Sequence, residues 1–267
     1  GMKISAYIIA FNQAEKIRDC INSVLWADEI ILIDSNSTDG TTEIALELGA
    51  KVFHIEFKGY GDLRNKAIEH CSGDWIFSLD SDERCTKEVK NEILELIDNA
   101  PYDIYKVPRR NFFMGRWIKH SGWYPNFRQP QLFKSGKMKY TMDLVHEGYL
   151  SNSDKKIGVL NNAIWQFPFK DFEEVIWKAN RYSNLGSHKL KAKGISGGVF
   201  KAFTHGLWSF LKHYFLKFGF LDGGPGLVIA IGNFEGTFYR YIKLLELEAE
   251  SNKLWQAPQV KEINKKT

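Results

Sequence analysis

The stretch WIFSLDSDER, residues 75–84, decides how the rest of this chain is read. Trp75, Ile76, Phe77 and Leu79 have the character of a buried strand, and the strand then runs into Asp80, Ser81, Asp82 and Glu83. Two readings are open: a solvated turn, or a set of side chains that holds a ligand. Residues two apart on a strand face the same way, so Asp80 and Asp82 project together if extended geometry persists to the end. Converging carboxylates repel unless a cation lies between them, and an all-oxygen donor set suits Mg²⁺ or Mn²⁺.

Working outward, the first hundred residues alternate strand and helix. KISAYIIAF (3–11), EIILID (29–34), KVFHIEF (51–57) and WIFSLD (75–80) read as strands. AEKIRDCINSVLW (14–26), TTEIALEL (41–48), DLRNKAIEHC (62–71) and KEVKNEILELI (87–97) have helical spacing, and Ile17, Cys20, Ile21 and Val24 share one face. Continuously apolar strands alternating with helices imply a mostly parallel sheet covered on both sides, an α/β fold of Rossmann-like type. Ligands of such sheets bind beyond the carboxyl ends of the strands. Phe11 and Asn12, Asp34 to Asn36, and Asp80 to Asp82 all fall there. After Pro101 shorter strands are expected in 102–113, 129–136 and 157–167. From Phe172 onward the chain reads as helices over 173–194, 199–219 and 234–250, with DGGPG (222–226) as a turn. The organisation expected is a βαβ half over 2–100, a second part of the same domain over 101–170, a helical extension over 171–255 and a polar tail over 256–267.

The 267 residues are 44% hydrophobic and 14% aromatic, enough for a sizeable core. Gly1 ahead of Met2 reads as a cleavage remnant, and KISAYIIAF is too short for a secretory core. Cys20, Cys71 and Cys85 are odd in number and lack metal-binding spacing, which fits a reduced, cytoplasmic protein. The net charge of +4 conceals an asymmetry. Residues 1–100 hold 10 Lys+Arg against 19 Asp+Glu, a net of −9, so the remainder carries +13. A basic, aromatic second half suits an anionic partner or a solvated surface, and charge alone does not choose. No nucleic-acid-binding module is recognisable, so nucleic acid is not expected as a partner.

The ordered set AYIIAFNQAEKI (6–17), EIILIDSNSTDGT (29–41), GYGDLRNKAIEHCSGDWIFSLDSDE (59–83) and VHE (145–147) resembles the family 2 glycosyltransferases, which have the GT-A fold. Nearer still, KANRYSNLGSHKLKAKG (178–194) and HYFLKFGFLDGGPGLVIAI (213–231) are similar to bacterial lipopolysaccharide core glucosyltransferases. The resemblance implies that Ala10, Phe11, Asn12, Glu15 and Asp34 line a nucleotide-sugar site and that Arg64 approaches the phosphates. It implies that Asp80 holds ribose or metal and that Asp82 coordinates the metal; His146 suits a third metal ligand, a substrate contact or a plain core histidine. An acidic residue, Glu147 with Asp143 as the fallback, would take the proton from the acceptor hydroxyl. Read from the residues alone, Asn12 and Glu15 also suit helix capping, Asp34 a turn, and Arg64 a solvated or carboxylate-paired cation. Arg109, Arg110, Arg128 and Gln131 sit where an acceptor-side loop is expected.

The function implied is a metal-dependent inverting transfer of a hexose, glucose from UDP-glucose, to a saccharide acceptor on a bacterial surface glycolipid. A nucleotidyltransferase, or an inactive nucleotide-sugar or lipid-binding module of the same fold, is the alternative. The first typically has a Gly- and Lys/Arg-rich loop after strand one, where this chain has FNQAEK. The second would be favoured by a broken D-x-D motif or a missing acid, and motif and acid are both intact here. The basic aromatic C-terminal half suits peripheral contact with the inner face of the cytoplasmic membrane, or packing on the core.

Overall fold

The computed structural model describes residues 1–124, 129–142 and 148–255. They form two compact units: Gly1–Lys119 with Trp123–Pro168, and His120–Gly122 with the chain from Phe169 onward.

The first unit begins with β1 (Ile4–Ala10), α1 (Ala14–Asn22), β2 (Glu29–Asp34), α2 (Thr41–Glu47) and β3 (Lys51–His54). It continues through α3 (Tyr60–His70), β4 (Trp75–Ser78), β5 (Glu83–Arg84) and α4 (Lys87–Leu96). Short strands follow: β6 (Ile104–Lys106), β7 (Arg109–Phe113), β8 (Arg116–Trp117), β9 (Leu132–Lys134) and β10 (Met138–Tyr140). The last are β11 (Tyr149–Ser151), β12 (Gly158–Val159) and β13 (Ile164–Gln166). The main sheet has the order β12-β6-β9-β4-β1-β2-β3. Every pairing in it is parallel except those of β9, which runs antiparallel to β4 and β6.

Side-chain alternation divides the core between the two faces of this sheet. Ile4, Ala6, Ile8 and Ala10 of β1 join Ile30 and Leu32 of β2 on the face covered by α1 and α4, where Ile17, Cys20, Ile21, Val89 and Ile93 are buried. Tyr7, Ile31 and Ile33 point to the other face and meet Leu63 and Ala67 of α3. Burial on both sides explains why these strands read as mainly apolar runs rather than alternating ones. Each such Ile or Leu contributes roughly 1.5–3 kcal/mol by leaving water.

Two smaller sheets complete the unit, β10-β11 and β5-β13-β7-β8. The second of these matters for the site. β4 belongs to the main sheet and β5 to the small one, so the residues between them carry the chain from one sheet to the other.

The second unit is helical: α5 (Phe172–Ala192), α6 (Val199–Leu211) and α7 (Gly223–Ser251). Asp171 caps α5 by accepting from the Glu174 N–H at 2.8 Å. A π-turn over Lys212–Leu216 and a 3₁₀ turn over Gly219–Asp222 join α6 to α7.

Several boundaries differ from the sequence reading. α1 ends at Asn22 rather than Trp26, and β3 ends at His54 rather than Phe57. More substantially, DGGPG is not a free-standing turn: α7 starts at Gly223, eleven residues before the start read from periodicity. Pro225 falls in the first turn, where its missing N–H costs nothing. Gly226 is needed because a Cβ there would collide with the Gly219 carbonyl. The Asp222 side chain is buried and accepts from the Ser121 hydroxyl at 2.7 Å and the His120 N–H at 3.2 Å. The polar tail 256–267 lies outside the described residues.

Candidate functional site

The strand geometry of β4 stops at Ser78, two residues before Asp80. The expectation that Asp80 and Asp82 project together from an extended strand is therefore corrected: both lie on a turn. The Glu83 N–H donates to the Asp80 carbonyl at 2.9 Å, and the Asp80 N–H donates to Glu83 Oε1 at 2.8 Å. The switch between sheets is the physical reason, because β5 must leave β4 to pair antiparallel with β13. β13 in turn steadies the turn. Gln166 Nε2 donates to Asp82 Oδ2 at 3.2 Å, and the Phe167 N–H donates to the Asp82 carbonyl at 2.8 Å. Asp80 and Asp82 are half-buried at the rim.

Behind the turn lies a buried polar group that the sequence reading missed. Glu83 is fully buried and ion-paired with Arg109, itself buried. Gln131 links the two, accepting from Arg109 at 3.0 Å and donating to Glu83 at 3.1 Å and to the Ser78 carbonyl at 2.9 Å. Arg109 and Gln131 thus support the turn from behind and also line the recess beside Arg64 and Asp80. Arg110 lies over the Trp117 ring at 4.2 Å, and Arg128 lies outside the described residues. Burial pushes the Glu83 carboxyl up to about 7; Arg109 opposes the rise, and Asp80 and Asp82 add to it.

That crowding of carboxylates tests the fit of a cation. Asp80 and Asp82 at the rim, both acting on Glu83 behind them, offer only oxygen donors, which suit a hard divalent ion. Among the described residues no group of three or more His, Cys, Asp and Glu is arranged to hold a metal, so Asp80 and Asp82 would need a further ligand. His146, the third ligand inferred from sequence, lies outside the described residues, as do Asp143 and Glu147.

Facing Asp80 is Arg64 of α3, whose guanidinium donates to Asp80 Oδ1 at 3.1 Å and to the Ser78 hydroxyl at 3.3 Å. It sits 5.5 Å from the Tyr140 ring centroid, and its Nε is buried without a hydrogen-bond partner among the described residues. Burial disfavours the charge, but Asp80 together with Tyr7 and Tyr140 outweighs that and holds Arg64 protonated. Arg64, Ser78, Asp80, Arg109, Gln129, Gln131 and Tyr140 line a small recess at this point. A fixed cation and two carboxylates at one strand end can bind a diphosphate together with a metal ion.

α3 also fixes the chain that leads into Asp143–Glu147. Asn65 pairs with the Tyr140 backbone in both directions, donating at 2.9 Å and accepting at 2.8 Å. The Thr141 N–H donates to the Gly148 carbonyl at 3.0 Å, so the two flanks of the segment are bonded to each other. Gly61 permits the approach: a Cβ there would collide with the Thr141 carbonyl oxygen. Gly61→Ala is expected to cost about 1–3 kcal/mol of stability by overpacking. It should also lower turnover, which thermal melting and activity measured together will show.

The loops after β1 and β2 flank β4 at the same rim, since β1 lies between β4 and β2. They are laced to each other. The Asn12 side chain, at φ +49°, accepts from the Thr38 N–H at 2.9 Å, and the Asn12 N–H donates to the Ser37 hydroxyl. The first turn of α1 is capped from the neighbouring loop: the Ala14 N–H donates to Asp39 at 3.0 Å, and the Gln13 N–H to the Thr41 hydroxyl at 2.9 Å. Self-capping of α1 by Asn12 is thereby corrected. Asp34 is fully buried and accepts from Ser37, from Thr42 at 3.3 Å and from His54 at 3.1 Å. Its carboxylate organises the loop from inside. Ala10 is buried, whereas Phe11 and Glu15 are exposed at the rim. Asp39, Ser37 and Thr41 went unremarked in the sequence because their partners lie about 25 residues away.

The family model for glycosyl transferase family 2 matches residues 5–152, and the chain belongs to that family. It is a glycosyltransferase with the GT-A fold. It is similar to an uncharacterized glycosyltransferase of Rickettsia conorii, with 31% identity over 94% of this chain and 92% of the relative. It is also similar to the lipopolysaccharide core biosynthesis glycosyltransferase LpsC of Rhizobium meliloti, with 28% identity over 86% of this chain and 89% of that protein. Among solved structures, glucosyl-3-phosphoglycerate synthase from Mycobacterium tuberculosis in complex with Mn²⁺, UDP and glucosyl-3-phosphoglycerate matches at 28% identity. That match has a TM-score of 0.36 and covers 41% of this chain and 45% of the other.

Proposed function

We propose that this glycosyltransferase inverts the anomeric centre while transferring a hexose, glucose from UDP-glucose, to a saccharide acceptor of a bacterial surface glycolipid such as the lipopolysaccharide core. The observation that carries the donor half is the Asp80–Glu83 turn facing the Arg64 guanidinium at the carboxyl end of β4. The acceptor class is supported by the name of the similar Rhizobium meliloti protein and by the resemblance of residues 178–194 and 213–231.

Asp80 and Asp82, with His146, are the residues that would hold a divalent cation. When bound, it neutralises charge that grows on the departing nucleoside diphosphate. Arg64 supplies a further fixed positive charge to the same oxygens. Ala10, Phe11, Asn12 and Glu15 bound the nucleotide, and Asp34 acts by shaping the loop that faces it. Glu147, or Asp143 in its absence, accepts the proton of the acceptor hydroxyl as that oxygen bonds to the anomeric carbon and the bond to the diphosphate breaks. The reaction is placed at the cytoplasmic face of the inner membrane, where the acceptor lipid is reached from the aqueous side.

A panel of nucleotide sugars assayed for hydrolysis and transfer tests this reading. One UDP-sugar is expected to turn over with Mn²⁺ and to stop with EDTA, and Asp82→Ala is expected to remove the activity. Turnover that survives both treatments would set the metal-dependent reading aside.

A further inference from the structure

The exposed side of α6 is apolar, which is the reverse of an ordinary surface helix. Phe200, Phe203, Leu207 and Leu211 recur at intervals of three and four and fall on one stripe, with Trp208 at its edge. Phe200 is 80% exposed and Trp208 58%. The opposite side of the same helix carries Ala202 and Gly206, both buried. The stripe continues beyond α6, because Phe215, Leu216, Phe218, Phe220 and Leu221 are all exposed in the turns that lead into α7. Solitary surface hydrophobes need no explanation, but a contiguous set of this size marks an interaction surface.

Charge and length identify the occupant. The segment Val199–Leu221 contains Lys201, Lys212 and Lys217, with His205 and His213, and no Asp or Glu. Among the described residues no single helix is long and apolar enough to cross a membrane. Val199–Leu216 and Gly219–Ser251 reach that composition only as a pair, and they are bent by 69° at the break. No single helix here spans by itself, and a bent, basic surface that leaves an aromatic and apolar stripe exposed is the pattern of a segment lying in a bilayer interface. A second copy of the chain would place the same lysines against each other, whereas anionic head groups complement them.

We infer that the exposed face of α6 and the turn beyond it dock on a bilayer bearing anionic phospholipid, with the apolar stripe in the acyl boundary and Lys212 and Lys217 among the head groups. This rests on the glycolipid reading only for its purpose. The contact itself is independent of which sugar is transferred.

Sedimentation of the full chain with vesicles tests it. The chain is expected to pellet with vesicles of phosphatidylglycerol and phosphatidylcholine, at least tenfold more than with phosphatidylcholine alone, and to be released by high salt. Phe200→Ser combined with Trp208→Ser and Leu211→Ser should abolish pelleting while hydrolysis of the donor sugar persists. Lys212→Glu, a single change at an exposed position, should weaken pelleting at least threefold and guards against misfolding of the triple variant. The proposal fails if the chain stays in solution with anionic vesicles, or if neutral vesicles bind equally well. It also fails if light scattering shows a dimer that the triple variant dissolves and vesicles leave intact. Absent turnover with intact vesicle binding would instead count against the enzymatic reading alone.

Discussion

Glu147→Gln is expected to lower kcat by about three orders of magnitude while leaving UDP binding intact, because general base catalysis contributes roughly 10²–10⁴-fold. Gln keeps the size and hydrogen-bonding reach of Glu but cannot accept a proton at neutral pH. Loss of kcat at unchanged donor affinity separates that role from a structural one, which would disturb both. The flanks of the segment, Thr141 and Gly148, are bonded to each other, and the first is packed against α3, so an isosteric change there should not propagate. Single-turnover kinetics with calorimetric titration of UDP will show the split. Should Glu147→Gln turn over normally and Asp143→Asn not, the base is Asp143.

Arg109→Met is expected to destabilise the first unit by about 3–5 kcal/mol, since it strands the buried carboxylate of Glu83. Gln131 remains beside Glu83 but supplies only a neutral donor. The double change Arg109→Met with Glu83→Leu should recover much of the loss, because the penalty comes from the unpaired charge rather than from the missing pair. Urea unfolding of the three proteins measures this directly. The double variant should still bind nucleotide poorly, because Glu83 Oε1 accepts the Asp80 N–H and so shapes the turn.

The parallel half of the fold was legible for a plain reason: strands buried on both faces have few polar positions, so EIILID and WIFSLD stand out as mainly apolar runs. The helices were legible where one face is apolar, as Ile17, Cys20 and Ile21 show in α1. DGGPG misled because composition reports permissive backbone, while the start of α7 depends on Gly226 packing against the Gly219 carbonyl. At the site, the place of Asp80 and Asp82 just beyond β4 was readable from the strand end. Helix spacing left Arg64 as a solvated or carboxylate-paired cation, and it is the pairing with Asp80 that the structure shows. The support behind them was not readable. Glu83 and Arg109 are 26 residues apart in sequence, and a pairing of single charges across that distance leaves no periodic trace. Asp34 and Asn12 were readable as loop residues, but their partners Ser37, Thr38 and Thr42 became apparent only once the two loops were seen together.

The central claim is that the Asp80–Glu83 turn, opposite Arg64, grips a nucleoside diphosphate through a divalent ion. Calorimetric titration of UDP into the wild-type chain and Asp82→Ala, each with Mn²⁺ and with EDTA, addresses it most directly. Tight binding confined to the wild type with Mn²⁺ is the result this account requires. Equal UDP affinity in all four titrations would contradict it.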